Sequence, residues 1–146
     1  MEISKTLVDF FQSTISPLVL ISGVGLILLS LTNRLARTID RSRGLVSEIE
    51  NPNSNDIENK KHQLRILVKR SYILKYSITS ISFSILCSSL IIPMLLLMHL
   101  FHWNLTFIGK TFFLLSIVGI ILSAIFLFID VSLTLKALEL EVKEHL

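Results

Sequence analysis

One cysteine, Cys87, is all the chain has, which excludes an internal disulfide framework and any cysteine-based metal site. Acidic and basic residues are absent from Ile15 through Leu31. No Gly-rich phosphate loop follows a strand-like run, because Gly23-Val24-Gly25 lies inside that uncharged stretch. Neither a Ser–His–Asp set nor a metal-binding helix pattern is present, so the sequence points to no enzyme and no cofactor. The N-terminus lacks a basic n-region, carrying Glu2, Lys5 and Asp9, and no small-x-small cleavage site follows the apolar run. The first apolar segment is therefore expected to stay in the mature protein. Aromatic residues are only 8% of the chain, too few in its polar part to stack bases, which argues against nucleic-acid binding.

Hydrophobic residues, by contrast, make up 51% of the 146 positions and are gathered into three long blocks. That pattern predicts an all-α membrane protein, with 1–146 as a single three-span domain. The spans are expected at about 15–35, 73–100 and 111–130. A helical hairpin over about 36–72 and a tail over 131–146 extend them into water. Ahead of the first span, Ile3, Leu7, Phe10, Phe11 and Ile15 recur at helical spacing, as in a short interfacial helix. Pro17 suits the first turn of a helix, where its missing N–H costs little. Past the span the same helix carries Leu35, Ile39, Val46 and Ile49 as an apolar stripe that needs a partner in water, and it reads as continuous to about Glu50.

Asn51–Asn55 reads as a turn, with Asn55 placed to cap a second helix and Glu58 to close a capping box. Span two has Tyr72 and Tyr76 at one end and Phe101 and Trp103 at the other, as aromatic belts would be, and Pro93 is expected to bend it. The turn His102–Lys110 makes spans two and three antiparallel neighbours. Beyond span three, Val131, Leu135, Leu138, Val142 and Leu146 form a stripe, with Glu139, Glu141, Lys143 and Glu144 outside it.

Charge placement sets the expected orientation. The connection from Arg34 to Lys75 carries ten Lys and Arg residues and the tail two, against Lys5 and Lys110 on the other side. The positive-inside bias puts the connection and the C-terminus in the cytoplasm and the N-terminus outside. Each arginine of Asn33–Gly44 would cost about 2.5–3.5 kcal/mol at a bilayer centre, so that segment must lie at or beyond the inner headgroups.

The residues Asn33-Arg34-Leu35-Ala36-Arg37-Thr38-Ile39-Asp40-Arg41-Ser42-Arg43, preceded by Ser16-Pro17 and Gly23-Val24-Gly25, resemble a bacterial family of small three-span membrane proteins of unknown function. Its first span ends in an N-R-L-x-R-x-x-D-R-x-R signature. The resemblance implies a bacterial inner-membrane location and brings no activity, ligand or catalytic residue.

Two constellations invite a functional reading. Asn33, Arg34, Arg37, Asp40, Arg41 and Arg43 at the end of span one lie at the expected depth of Asp130 at the end of span three. They can anchor topology through anionic headgroups, form an ion-pair network within or between subunits, or bind an anion or lipid headgroup. Small residues form the second. Ser16, Gly23 and Ser30 share a face of span one, and Ser116, Gly119 and Ser123 a face of span three; Ser77, Ser80, Ser84, Cys87 and Ser88 run along span two. Such faces serve close helix packing or line a hydrated pathway, which three spans enclose only as an oligomer. His99 and His102 are spaced i, i+3, without an acidic neighbour to complete a metal site. Asn104-Leu105-Thr106 matches a glycosylation acceptor that a bacterial chain does not use. The expected function is a non-enzymatic membrane assembly, a homo-oligomer or a partner-binding scaffold at the cytoplasmic bundle. The alternative is a homo-oligomeric channel or transporter lined by span one.

Overall fold

Uncharged backbone in hydrocarbon has no water to bond, so apolar runs of this length close their hydrogen bonds within themselves as helix. The computed structural model describes residues 2–50, 57–101 and 106–145, and every described residue is helical. The order is α1 (Glu2–Glu50), α2 (Ile57–Phe101) and α3 (Thr106–His145). Within them Thr14–Glu50, Ile57–Phe101 and Thr106–Leu135 are each long and apolar enough to cross a membrane. Their apolar side chains mostly point outward, since 17%, 28% and 17% of the three apolar windows are buried. A water-soluble core would invert that proportion.

Two expectations about boundaries need adjusting. Pro17 lies inside α1 and does not open it, because residues 2–16 are already helical and the apolar interfacial segment runs into the span without a break. Pro93 sits inside α2, within the span where it was expected. Helix α3 starts at Thr106, inside the expected turn His102–Lys110, the low helix propensity of Gly109 notwithstanding. Gly109 is part of that first stretch, and a Cβ there would meet Met94 Cε at 3.5 Å, an ordinary contact. The Asn51–Asn55 turn with its Asn55 cap, and the His102, Trp103 and Asn104-Leu105 readings, lie outside the described residues. So do the side chains of Ile3, Leu7 and Phe10 and those of residues 136–146.

Two compact units divide the chain. One comprises Met1–Leu29 with Thr79–Leu122, the other Ser30–Ile78 with Ser123–Leu146. In the first, Ser84 donates to the Ser116 carbonyl at 2.8 Å and shares a 2.9 Å hydroxyl contact with Ser116, which also meets the Ser88 hydroxyl at 2.6 Å. These serines are buried, and pairing them across the helices offsets the cost of removing hydroxyls from water. Gly119 belongs to the same contact: a Cβ added there would stand 2.9 Å from the Ser80 carbonyl oxygen and 3.0 Å from Ser84 Cβ. In the second unit, Ser77 donates to the Ser123 carbonyl at 2.9 Å, and the two hydroxyls lie 2.9 Å apart. Tyr76 and Phe126 flank that pair with ring centroids 6.0 Å apart.

Among the described side chains of α1 the buried positions are Pro17, Val24, Leu31, Thr38 and Leu45, each seven residues from the last. A seven-residue step keeps one narrow seam of a helix facing its neighbours. Thr38 is tolerated in that seam because its hydroxyl bonds to the Arg34 carbonyl at 2.9 Å.

Candidate functional site

Asp130 is fully buried, with relative exposure of 0%. A buried carboxylate needs a counter-charge and donors, and the second unit supplies both from two helices. Arg70 of α2 donates from Nε to Asp130 Oδ1 at 3.1 Å. Arg34 of α1 brings Nη1 to 3.8 Å from Oδ2, close enough for charge but too far for a hydrogen bond. Among the described residues Oδ2 finds no hydrogen-bond partner. The Arg70–Asp130 pair follows from the serine pair beside it. From Ser77, seven residues back along α2 lead to Arg70, and from Ser123, seven forward along α3 lead to Asp130. The Thr134 hydroxyl, bonded to the Asp130 carbonyl at 2.8 Å, turns its own polarity inward to the helix.

Of the residues named at the end of span one, only Arg34 reaches Asp130. Asn33, Arg37, Asp40, Arg41 and Arg43 are exposed, and among the described residues Arg37, Asp40, Arg41 and Arg43 make no ion pair. Arg70 was not among the candidate site residues. Its signal was the small-residue stripe of α2, which reaches Arg70 when stepped back by seven from Ser77. The spans divide in the same way. Ser116, Gly119 and Ser123 are buried against α2, whereas Ser16, Gly23 and Ser30 are all exposed, with nothing within 4 Å of a Cβ at Gly23. The seam of α1 is the adjacent one, a residue further round.

A second feature lies in the same unit. An open, mostly apolar groove of about 680 Å³ runs between α1 and α2, lined by Leu35, Ile39 and Val46 on one side and Leu64, Val68 and Tyr72 on the other. Arg43, Glu50 and Lys75 also line it. Ile49, expected in the apolar stripe, is half-buried outside this lining. Lys60 pairs with Glu48 at 3.2 Å and ties the two helices together further along.

Chemically, the Asp130 cluster is a lock. Its carboxylate is shielded from water and occupied by a guanidinium, and the two arginines leave it with one positive charge in excess. Among the described residues no group of three or more His, Cys, Asp or Glu is placed to hold a metal. No curated protein and no solved structure matches this chain. A family model does match, over residues 14–140, which include Asp130, both arginines, the groove and every small-residue face. The chain therefore belongs to the family described as a protein of unknown function, DUF2721.

Proposed function

We propose that this membrane protein is a non-enzymatic assembly subunit that associates with further copies of itself in a bacterial inner membrane. In this reading 1–146 is one three-span domain, with spans near 15–35, 73–100 and 111–130. The N-terminus lies outside, and the helical hairpin 36–72 and the tail 131–146 stand in the cytoplasm. Helices of 49, 45 and 40 residues are about 60–75 Å long, roughly twice the hydrocarbon thickness, which supports long extensions into water. The Asn33–Arg43 signature marks the inner headgroup layer, where exposed Arg37, Arg41 and Arg43 contact anionic lipid. Nucleic acid is not a partner.

One observation carries the assembly. The small residues of α2 and α3 are spent on each other, while Ser16, Gly23 and Ser30 of α1 stay exposed in an apolar span. Within a bilayer, close approach of small residues is a main source of helix association. The test is particle mass in mild detergent. Wild type is expected as a discrete multimer and Gly23→Leu as a smaller species with unchanged helix content. A single-chain mass for wild type overturns the proposal.

A second reading draws on the same face. Seven residues beyond Ser30 lies exposed Arg37, so a line of hydroxyls and glycine continues into a guanidinium. Around a central axis, that line would be an anion-favouring pathway lined by span one. Liposomes containing the protein are expected to show no ion flux if it is a scaffold. Flux abolished by Gly23→Leu decides for the channel.

A further inference from the structure

Arg34 and Arg70 reach one carboxylate from different helices and spend little of their bonding capacity on it. We infer that the two guanidiniums form a seat for a phosphate oxyanion at the border of the membrane. One chain is enough to build it, so the seat is independent of self-assembly.

Unused donors come first. Every nitrogen of a guanidinium donates, and none accepts. Arg70 gives only Nε to Asp130, at 3.1 Å, and Arg34 gives no hydrogen bond, its Nη1 standing 3.8 Å from Oδ2. Among the described residues neither arginine has a second ion-pair partner. The carboxylate therefore offsets one of two positive charges.

Asp130 itself points the same way. Its Oδ2 is buried, faces Arg34 and finds no donor among the described residues. A buried acceptor left alone costs free energy, which Arg34 would recover by closing the gap. The Arg34 side chain is instead 38% exposed, against 18% for Arg70. Arg34 thus stands between an inner acceptor that it does not bond and open surface, with Nε and Nη2 uncommitted. Asp130 is a positioning residue here: it fixes Arg70 by a hydrogen bond and draws Arg34 toward it by charge.

Depth selects the ligand. Arg34 is the first charged residue after Asp9, and Asp130 the first after Lys110. Each stands where the uncharged run of its span gives out, the level at which lipid headgroups flank the hydrocarbon. Phosphate is the resident anion of that layer. A planar guanidinium matches two phosphate oxygens with parallel hydrogen bonds, which a lysine does not. Exposed Arg37, Arg41 and Arg43 have no buried carboxylate to hold them in place, so a fixed phosphate belongs at Arg34 and Arg70.

The experiment uses the full-length protein in neutral, phosphate-free detergent. Dioleoyl phosphatidylglycerol is titrated in, and retained lipid is counted by native mass spectrometry. In a parallel series, thermal unfolding in potassium phosphate is compared with potassium chloride at equal ionic strength. Wild type is expected to retain one lipid per chain. Arg34→Ala is expected to lower retention at least tenfold with unchanged helix content. Lys69→Ala, which deletes an exposed charge one residue from Arg70, is expected to leave it intact. Should Arg34→Ala not fold, Arg34→Lys keeps the charge, loses the fork and is expected to lower retention at least threefold. Equal losses from Arg34→Ala and Lys69→Ala mark general attraction to anionic headgroups and overturn the seat, as does full retention in Arg34→Ala. Stabilisation by potassium phosphate that depends on Arg34, without a retained lipid, upholds the seat and assigns it to free phosphate. If lipid is not retained and phosphate does not stabilise, the seat does not exist.

Discussion

Asp130 has one oxygen held by Arg70 at 3.1 Å and the other facing Arg34 without a hydrogen bond. Removing the carboxylate is costly because it leaves a part-buried guanidinium without its counter-charge, a loss of about 3–5 kcal/mol for buried pairs. Asp130→Ala is thus expected to lower the thermal unfolding temperature in detergent substantially. Arg70→Ala should approach it, and Arg34→Ala should fall well short, since Arg34 is 38% exposed and does not bond. Equal effects of the two arginine substitutions would show that the lock is shared evenly and that the distances mislead. Asp130 and Arg34 could be placed at one depth from sequence, because span ends and charge counts are coarse and robust signals. Arg70 could not be read as easily, since an arginine among Lys60, Lys61, Arg65 and Lys69 has the composition of a solvated face. Only its place on the serine stripe set it apart.

Between elements, glycine and serine decide how closely α2 and α3 approach. A Cβ at Gly119 would press on a backbone oxygen, which cannot rotate away as a side chain does. Gly119→Ala is therefore expected to destabilise the fold by about 1–3 kcal/mol, the usual cost of overpacking. Gly23→Ala faces open space and should leave unfolding of the chain unchanged, although it lies in an equally apolar span. Comparable losses from both, measured by detergent melts, would contradict this division. Helix existence, type and approximate extent were legible because long uncharged runs leave the backbone no alternative. Which small-residue face turns inward was not. Ser16, Gly23 and Ser30 differ from the buried Pro17, Val24 and Leu31 by a single residue, and a 100° step is below what periodicity alone resolves in a span apolar all round. The start of α3 was missed for a similar reason, as Phe107 and Ile108 sit beside polar neighbours that read as turn.

For the whole molecule, the proposed orientation rests on the arginine-rich segment and the proposed assembly on the exposed face of α1. A thiol introduced at Ser54, in a Cys87→Ala background, is expected to resist membrane-impermeant maleimide added to intact cells and to react once the membrane is opened. Labelling from outside would invert the topology and remove the cytoplasmic hairpin. Assembly is the claim on which the proposed function stands, and counting subunits in native membranes reaches it without detergent. With each chain carrying one fluorophore, stepwise photobleaching is expected to give several steps per spot for wild type and fewer for Gly23→Leu. A distribution dominated by single steps for wild type would contradict the account.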